Sequence, residues 1–275
     1  MRLDALVLVK GGGDMATGAA YRLFRAGFRV LVTEMPQPTA VRRTVSFAEA
    51  VYAGENRVEG VTARRAGTLA EAQSIIECGF IPVLVDPLAA CLRELSPSAL
   101  VDAVMAKVNT GTRRDDAPCV IALGPGFEAG LDCHAVVETN RGHHLGRVIT
   151  SGGAEPNTGT PGSVGGETER RILRADRAGR LVARRTIGDF VKVGEEVANV
   201  DGAPVLSRLD GVLRGLLHDG LVVAAGAKIG DVDPRAAPDH CFTISDKSLA
   251  VGGGVLEAVM RFLPLNVEAR RATVA

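Results

Sequence analysis

The stretch ALVLVKGGGDMATGAAYRLFRAGFRVLVTE, Ala5–Glu34, decides how the N-terminal half reads. Ala5–Lys10 is apolar on both faces of an extended chain, as a strand covered on both sides should be. Gly11-Gly12-Gly13-Asp14-Met15-Ala16 then fits G-x-G-x-x-A. Asp14–Ala26 has helical amphipathic spacing, and Arg29–Glu34 is a second apolar strand. Glu34 ends that strand twenty-one residues past Gly13, where an acidic side chain can hold a ribose hydroxyl. Strand, glycine turn, helix start and acidic residue in this order predict a nucleotide or related phosphate ligand on Gly11, Gly13, Asp14 and Glu34. The competing reading is a βα turn that keeps its glycines only for packing.

Working outward, a helix over Thr68–Cys78 leads into the strand Ile81–Asp86, and Leu100–Lys107, Cys119–Leu123 and Ala135–Thr139 read as further strands. Together they predict an α/β chain: a Rossmann-like, doubly wound, mostly parallel sheet over residues 1–150, binding at the carboxyl ends of its strands. Lys107, Asn109, Gly124, Gly126 and Arg141 fall on that rim and are candidates for holding phosphate or carboxylate. Asp86, Glu138 and Asn140 share it, and His143 or His144 could serve there as acid or base. Between Gly124 and Gly166 the chain concentrates 11 of its 33 glycines and three of its five histidines in 43 residues, too poor in large apolar side chains to build a core. The tetrapeptide NTGT occurs at Asn109–Thr112 and again at Asn157–Thr160, which adds Asn157 and Gly159 as a second anion-cupping turn. Residues 151–178 read as a Gly-rich loop and connector.

The second half changes character. Gly188–Asp201 (GDFVKVGEEVANVD) aligns without a gap on Gly220–Asp233 (GLVVAAGAKIGDVD), an offset of 32 with five identities. Such a repeat predicts two interlocking hairpin halves over residues 179–235, a small all-β barrel-sandwich-hybrid of the biotinyl/lipoyl type. No lysine lies between Lys192 and Lys228, so the turn between the halves has no attachment point for a swinging arm. A wall or partner surface is the expected role. Over residues 236–275, Ser245 or Asp246 can cap a helix that runs to about Phe262, is stopped by Pro264 and packs back on the main domain. Its triple glycine, Gly252–Gly254, requires a close neighbour.

The 275 residues carry 32 basic and 32 acidic side chains, which excludes the electrostatic footprint of a nucleic-acid or anionic-membrane binder. No apolar run reaches the ~18–20 residues of a membrane span, and a cytoplasmic location is expected. Five cysteines without CxxC spacing argue against a disulfide framework or zinc ribbon; Cys78 and Cys119 read as core thiols. Cys241, between His240 and Phe242, is the best reactive-thiol candidate, because a neighbouring imidazolium favours thiolate, but adjacent side chains often point apart and a buried core thiol is the reading it must displace. His134 and His143 flank one strand at opposite ends, so no metal site is expected from them.

Taken together, KGGGDMATG, TEMPQPTAVRRTVSFAEAVY, VDAVMAK, LGPGFEAGLDCHAVVETNRGHHLGRV, NTGTPG, GVLRGLLHDG, KIGDVDPR and CFTISDK closely resemble the YqeB-type accessory protein of the selenium-dependent molybdenum hydroxylase system. The resemblance implies a role in maturing such hydroxylases, by preparing, holding or delivering the molybdenum–pterin cofactor or its selenium ligand, with a molybdenum hydroxylase as partner. It assigns no catalytic residues; His143 for proton transfer and Cys241 for chalcogen handling are candidates from the residues themselves. Two other classes stay open: an NAD(P)-dependent oxidoreductase using Gly11–Ala16 and Glu34, and a non-catalytic scaffold docking the hydroxylase through its β-module.

Overall fold

A computed structural model of the chain describes residues 3–157, 159 and 162–263. Its first half builds one nine-stranded sheet from β1 (Leu6–Lys10), β2 (Arg29–Glu34), β3 (Glu55–Val58), β4 (Val61–Ala66), β5 (Ile81–Val85), β6 (Ala99–Asp102), β7 (Val120–Leu123), β8 (Ala135–Val137) and β9 (Val148–Ile149), in the order β3-β4-β5-β2-β1-β6-β7-β8-β9. Pairing is parallel from β4 through β8 and antiparallel at both edges, β3 with β4 and β8 with β9. Four helices, α1 (Asp14–Arg25), α2 (Ala50–Ala53), α3 (Leu69–Glu77) and α4 (Leu92–Leu95), lie between its strands in sequence, and α5 (Asp246–Phe262) returns from the far end of the chain.

This corrects the expectation of a Rossmann-like doubly wound sheet carrying a separate barrel-sandwich-hybrid module. The sheet is mixed. The connections from β6 to β7 and from β7 to β8 contain no helix, so the strands on that side are not wound by their own crossovers. One face there is covered by α5, whose Val251, Val255, Ala258 and Val259 join Leu123 and Val137 in a single core; the other is closed by loop side chains such as Phe127 and Ala129. Apolar strands require cover on both faces but do not dictate which part of the chain supplies it.

The glycines of α5 face that cover. A Cβ on Gly252 would collide with the Gly18 carbonyl of α1, and one on Gly254 with the Gly146 carbonyl, whereas Gly253 meets nothing. Ser248 of α5 donates its hydroxyl to the Asp14 carbonyl at 2.6 Å, fixing the start of α5 beside the start of α1. Pro264, expected to stop α5, lies outside the described residues.

Strand β6 stops at Asp102 rather than running to Lys107. The Asp102 carboxylate turns back to accept the Val104 N–H at 3.2 Å and the Thr112 hydroxyl at 2.5 Å. Met105 and Lys107 then adopt φ of 60° and 65°, conformations that end any strand.

The remaining strands are β10 (Ile172–Arg174), β11 (Gly179–Ala183), β12 (Phe190–Val191), β13 (Glu196–Val200), β14 (Ala203–Leu206), β15 (Gly211–Leu216), β16 (Val222–Val223) and β17 (Lys228–Asp233). They form two antiparallel sheets, β10-β17-β15-β12 and β14-β13-β11-β16. Each sheet becomes the other when every strand is exchanged for its copy 32 residues away. The register follows: Leu213 opposite Val232 repeats Leu181 opposite Val200, and Leu173 opposite Gly230 repeats Val205 opposite Ala198. Each repeat gives two strands to each sheet, so neither can close a core alone. The unit begins at β10, seven residues before the expected boundary at Gly179, because β10 is the copy of β14. Its own core includes Leu181, Leu213, Val200 and Val232, and Val41 and Tyr52 from the first half pack against it. No helix among the described residues is long and apolar enough to cross a membrane.

Candidate functional site

A cleft runs between the carboxyl ends of β1, β2 and β6 and the face of β10, β17 and β15. It has two lobes, of ≈ 570 and ≈ 700 Å³, that share Asp14, Met15, Arg42, Met105, Lys228 and Asp231. Each is of a size that takes a small organic ligand.

The inner lobe holds the Gly11–Gly13 turn. Gly11 has φ 93°, and a Cβ there would sit 3.0 Å from the Ala103 carbonyl oxygen; a Cβ on Gly12 would sit 2.9 Å from the Ala48 nitrogen. Both glycines are needed for packing. Their N–H groups are already used, Gly11 donating to the Thr33 carbonyl at 2.8 Å and Gly12 to Glu34 Oε2 at 2.7 Å. Glu34 Oε1 accepts the Met35 N–H at 2.7 Å, so the carboxylate expected on a ribose braces its own turn. Burial pushes its pKa up, against the pull of these two hydrogen bonds. Lys10, 5% exposed, lies 3.7 Å from Asp102 Oδ2 and donates to the Thr110 and Thr112 hydroxyls at 3.3 Å. The Thr33 hydroxyl, 1% exposed, has no hydrogen-bond partner among the described residues.

The outer lobe differs in charge. Seven cationic side chains line it against three carboxylates, whereas the inner lobe has three of each. Arg171 binds the Asp231 carboxylate and donates to the Gly162 carbonyl at 2.9 Å. Arg214, its side chain 11% exposed, donates no hydrogen bond among the described residues; the Asp233 Oδ2 atom 3.7 Å from its Nε already receives Arg235 at 2.6 Å. Burial lowers the pKa of Lys228, Lys247 and Arg214, and Arg42 lowers that of Arg214 further. Arg42 bridges the halves, donating to the His240 and Thr243 carbonyls at 3.0 and 3.2 Å with Nη1 3.6 Å from Asp14 Oδ2.

The structure brings Gly11, Gly13, Asp14 and Glu34 to the inner lobe and Lys107, Arg141 and Asn157 to the outer one. Arg141 is already committed, its guanidinium held by Asp246 through bonds of 2.7 and 3.1 Å. Asn109 spends its amide on a turn with Gly111 and Thr112. Gly124 and Gly126 are packing glycines: a Cβ on Gly124 would lie 2.5 Å from the Thr139 hydroxyl, and one on Gly126 would lie 2.7 Å from the Lys107 backbone. Gly159 has φ 71° and open space around it, while Thr158 and Thr160 of the second NTGT lie outside the described residues. Glu138 is buried and accepts the Asn140 and Glu155 N–H groups at 2.6 and 2.8 Å, bracing the rim.

Neither proposed catalytic side chain meets the cleft. His143 is exposed, in edge contact with His144, and lines neither lobe. The reactive-thiol reading of Cys241 gives way to a core thiol: it is fully buried, its Sγ 3.7 Å from the Leu213 carbonyl, and burial raises its pKa despite Arg214 and Arg42. Burial likewise pushes Cys119 up to about 12, whereas Cys78, expected in the core, is exposed at the end of α3. Sequence reasoning missed Lys10, Arg42, Arg171, Arg214, Lys228 and Lys247. The detectable signals were a lysine closing the apolar run LVLVK and cations at repeat positions whose partners 32 residues away carry none, Arg171 against Ala203, Arg214 against Val182 and Lys228 against Glu196.

No family model matches the chain. Against YqeB of Escherichia coli K12 it is 53% identical over 266 residues, 97% of its own length. The chain is similar to YqeB over nearly all of its own length. It covers 49% of that protein, and thus spans about half the length of the curated relative it matches. Among solved structures it is similar to an aspartoacylase family protein of Mesorhizobium loti, 9% identical and covering 77% of this chain and 58% of that one. A succinylglutamate desuccinylase/aspartoacylase of Rhodobacter sphaeroides is 15% identical, covering 83% and 85%. Both have a TM-score of 0.25 and carry no argument about fold or activity.

Proposed function

We propose that the chain holds a small phosphate-bearing ligand in this cleft. The observation that carries the reading is the outer lobe, where seven cations face three carboxylates in a molecule whose formal charge is zero. Arg42, Arg141 and Arg171 have Asp14, Asp246 and Asp231 as partners, but Arg214 donates no hydrogen bond and Lys228 and Lys247 make no ion pair among the described residues. Such partly dehydrated charges are costly unless an anion joins them. Their forked and point-charge donors suit phosphate oxygens.

The accessory role implied by the YqeB-type resemblance fits this chemistry, with the phosphate-bearing molybdenum–pterin cofactor of a selenium-dependent hydroxylase as the ligand. A dinucleotide such as NAD(P) is the rival, and the use of the Gly11 and Gly12 N–H groups within the protein, which leaves neither free for a pyrophosphate, counts against it. Calorimetric titration of the protein with inorganic pyrophosphate, NAD(P) and a molybdopterin nucleotide tests the reading. Saturable binding of pyrophosphate, with the pterin ligand tighter than NAD(P), is expected. Absence of binding by all three overturns it.

A further inference from the structure

The duplicated β-module contains its own control for which cleft residues are there for a ligand. Arg171, Arg214, Lys228 and Asp231 line the outer lobe. Thirty-two residues away in the twin sheet, the equivalent positions carry Ala203, Val182, Glu196 and Asn199. The twin has the same strand pairings, in the same register except at Arg214, where a bulge between Leu213 and Gly215 sets Gly215 opposite Asp231 while Ala183 lies opposite Ala198, so the pairing does not depend on Arg171 or Lys228. Only the copy that faces the first half carries them. The structural acid at the end of the strand, by contrast, occurs in both copies, as Asp233 and Asp201.

The inner lobe has a different chemistry. Its charges balance, and Met35, Val41, Pro87 and Val104 give it apolar walls. The N–H groups of Gly11 and Gly12 are spent, and Asp14 places a carboxylate on the first turn of α1, where it opposes a second anion. What the lobe offers is a carboxylate with lone pairs to spare on Glu34 and the unpartnered, buried Thr33 hydroxyl. An acceptor beside a hydroxyl, between apolar walls, suits the amino and amide edge of a planar heterocycle.

Resting on the anion-binding reading above, we infer that the ligand is bipartite and lies with its phosphate end on Arg171, Arg214 and Lys228 of the β-module, and a planar heterocycle with an amino–amide edge against Thr33 and Glu34. Gly11 and Gly12 pack the floor and do not cradle the phosphate. A pterin and a guanine share the required edge.

Amide chemical-shift mapping on the full chain, with inorganic pyrophosphate, a phosphate-free pterin and guanosine as separate probes, tests the orientation. Pyrophosphate should shift the amides of Gly162–Val164, Ser245 and Lys247, and its affinity should fall at least tenfold in Arg214→Gln and Lys228→Gln while Glu34→Gln retains it. Lys228 is accessible, so its variant keeps the test valid if Arg214→Gln fails to fold. The heterocycles should shift Thr33–Met35 and weaken in Glu34→Gln; whichever of pterin and guanosine binds tighter identifies the source. Pyrophosphate shifts confined to Gly11–Met15, with affinity intact in both cation variants, would overturn the orientation and leave anion binding standing. No pyrophosphate shift anywhere would overturn anion binding itself. No shift by either heterocycle would remove the bipartite ligand.

Discussion

The two sheets of the β-module share strand pairing, buried leucines and, apart from a bulge at Arg214, register, yet meet different surroundings. The sheet of β10, β17, β15 and β12 faces the first half of the chain, while Val222 and Leu206 of its twin are exposed. Where both copies must do the same thing, they match: Leu213 and Leu181 are each 0% exposed, and glycine starts both β15 and β11. They diverge at the cleft. An internal duplication therefore separates what the fold demands from what the site demands, without recourse to another protein.

The sharpest break in the comparison is at Arg171 and Asp231, 7% and 4% exposed and bound to each other, where the twin has Ala203 and Asn199. Arg171→Met strands a buried carboxylate and should cost about 3–5 kcal/mol in denaturant unfolding. Adding Asp231→Asn, the twin's own residue, should restore most of that, and the restored protein should bind pyrophosphate poorly. A double variant as unstable as the single one would make the pair structural and end the argument from the twin.

Next come the shared positions. Leu213→Ala and Leu181→Ala should each lose about 2–5 kcal/mol, since each empties an equivalent place in one continuous core. The two losses should agree within the scatter of such measurements. A large loss at one and little at the other would show that the module is not a balanced pair.

A smaller effect distinguishes Gly215 from its copy Ala183. A Cβ on Gly215 would lie 2.8 Å from Val41 Cγ1 and 2.9 Å from the Val41 carbonyl oxygen, so Gly215→Ala should cost about 1–3 kcal/mol through overpacking at the junction with the first half. Ala183→Gly, the reverse exchange, should cost no more than about 0.5–1 kcal/mol, by backbone entropy. Equal losses at both positions would remove close approach to Val41 as the reason for the glycine.

Much of this architecture was legible in the sequence, and the reasons differ by region. Arg29–Glu34 is observed with the bounds its apolar run predicts, and α1 ends one residue short of Ala26. The offset of 32 became the literal register of the module, because a gapless repeat of alternating apolar residues fixes which rungs meet. Glu55–Val58 and Val61–Ala66 escaped notice because ENRV is an edge strand and VTARRA the strand beside it, both with charges between their apolar residues. The sheet's cover was hidden for another reason: α5 arrives from more than a hundred residues beyond β8, and no local period announces such a contact. The cleft residues are the hardest case. Lys10, Arg42, Arg171, Arg214, Lys228 and Lys247 sit on six separate segments, and each alone reads as an ordinary solvated charge. Only their convergence in space gives them chemistry.

The smallest effect is in the pH dependence of binding. Lys228 and Lys247 lose hydration in the cleft, which lowers both ammonium pKa values from 10.5; Asp231 and Asp14 beside Lys228, and Asp14 and Glu138 beside Lys247, pull the other way without overcoming it. Nearby Arg171 and Arg174, and Arg141, add to the lowering. For a cation the sign is unambiguous: a depressed pKa means that positive charge is lost, as pH rises, earlier than on a solvent lysine. Anion affinity should thus begin to fall, as pH rises, before an exposed lysine would titrate, the onset of that fall, with each lysine still largely charged, being worth about 0.2–1 kcal/mol per lysine. Bound anion favours the ammonium form, so over that range binding must take up protons. Calorimetry of pyrophosphate binding in two buffers of different ionisation enthalpy reads the uptake directly. The twin sheet predicts the control: Lys228→Glu, which copies Glu196, should abolish the Lys228 share of that uptake together with most of the affinity. Proton uptake unchanged in that variant would show that the titrating group lies outside the module, with Lys247 of α5 the remaining candidate.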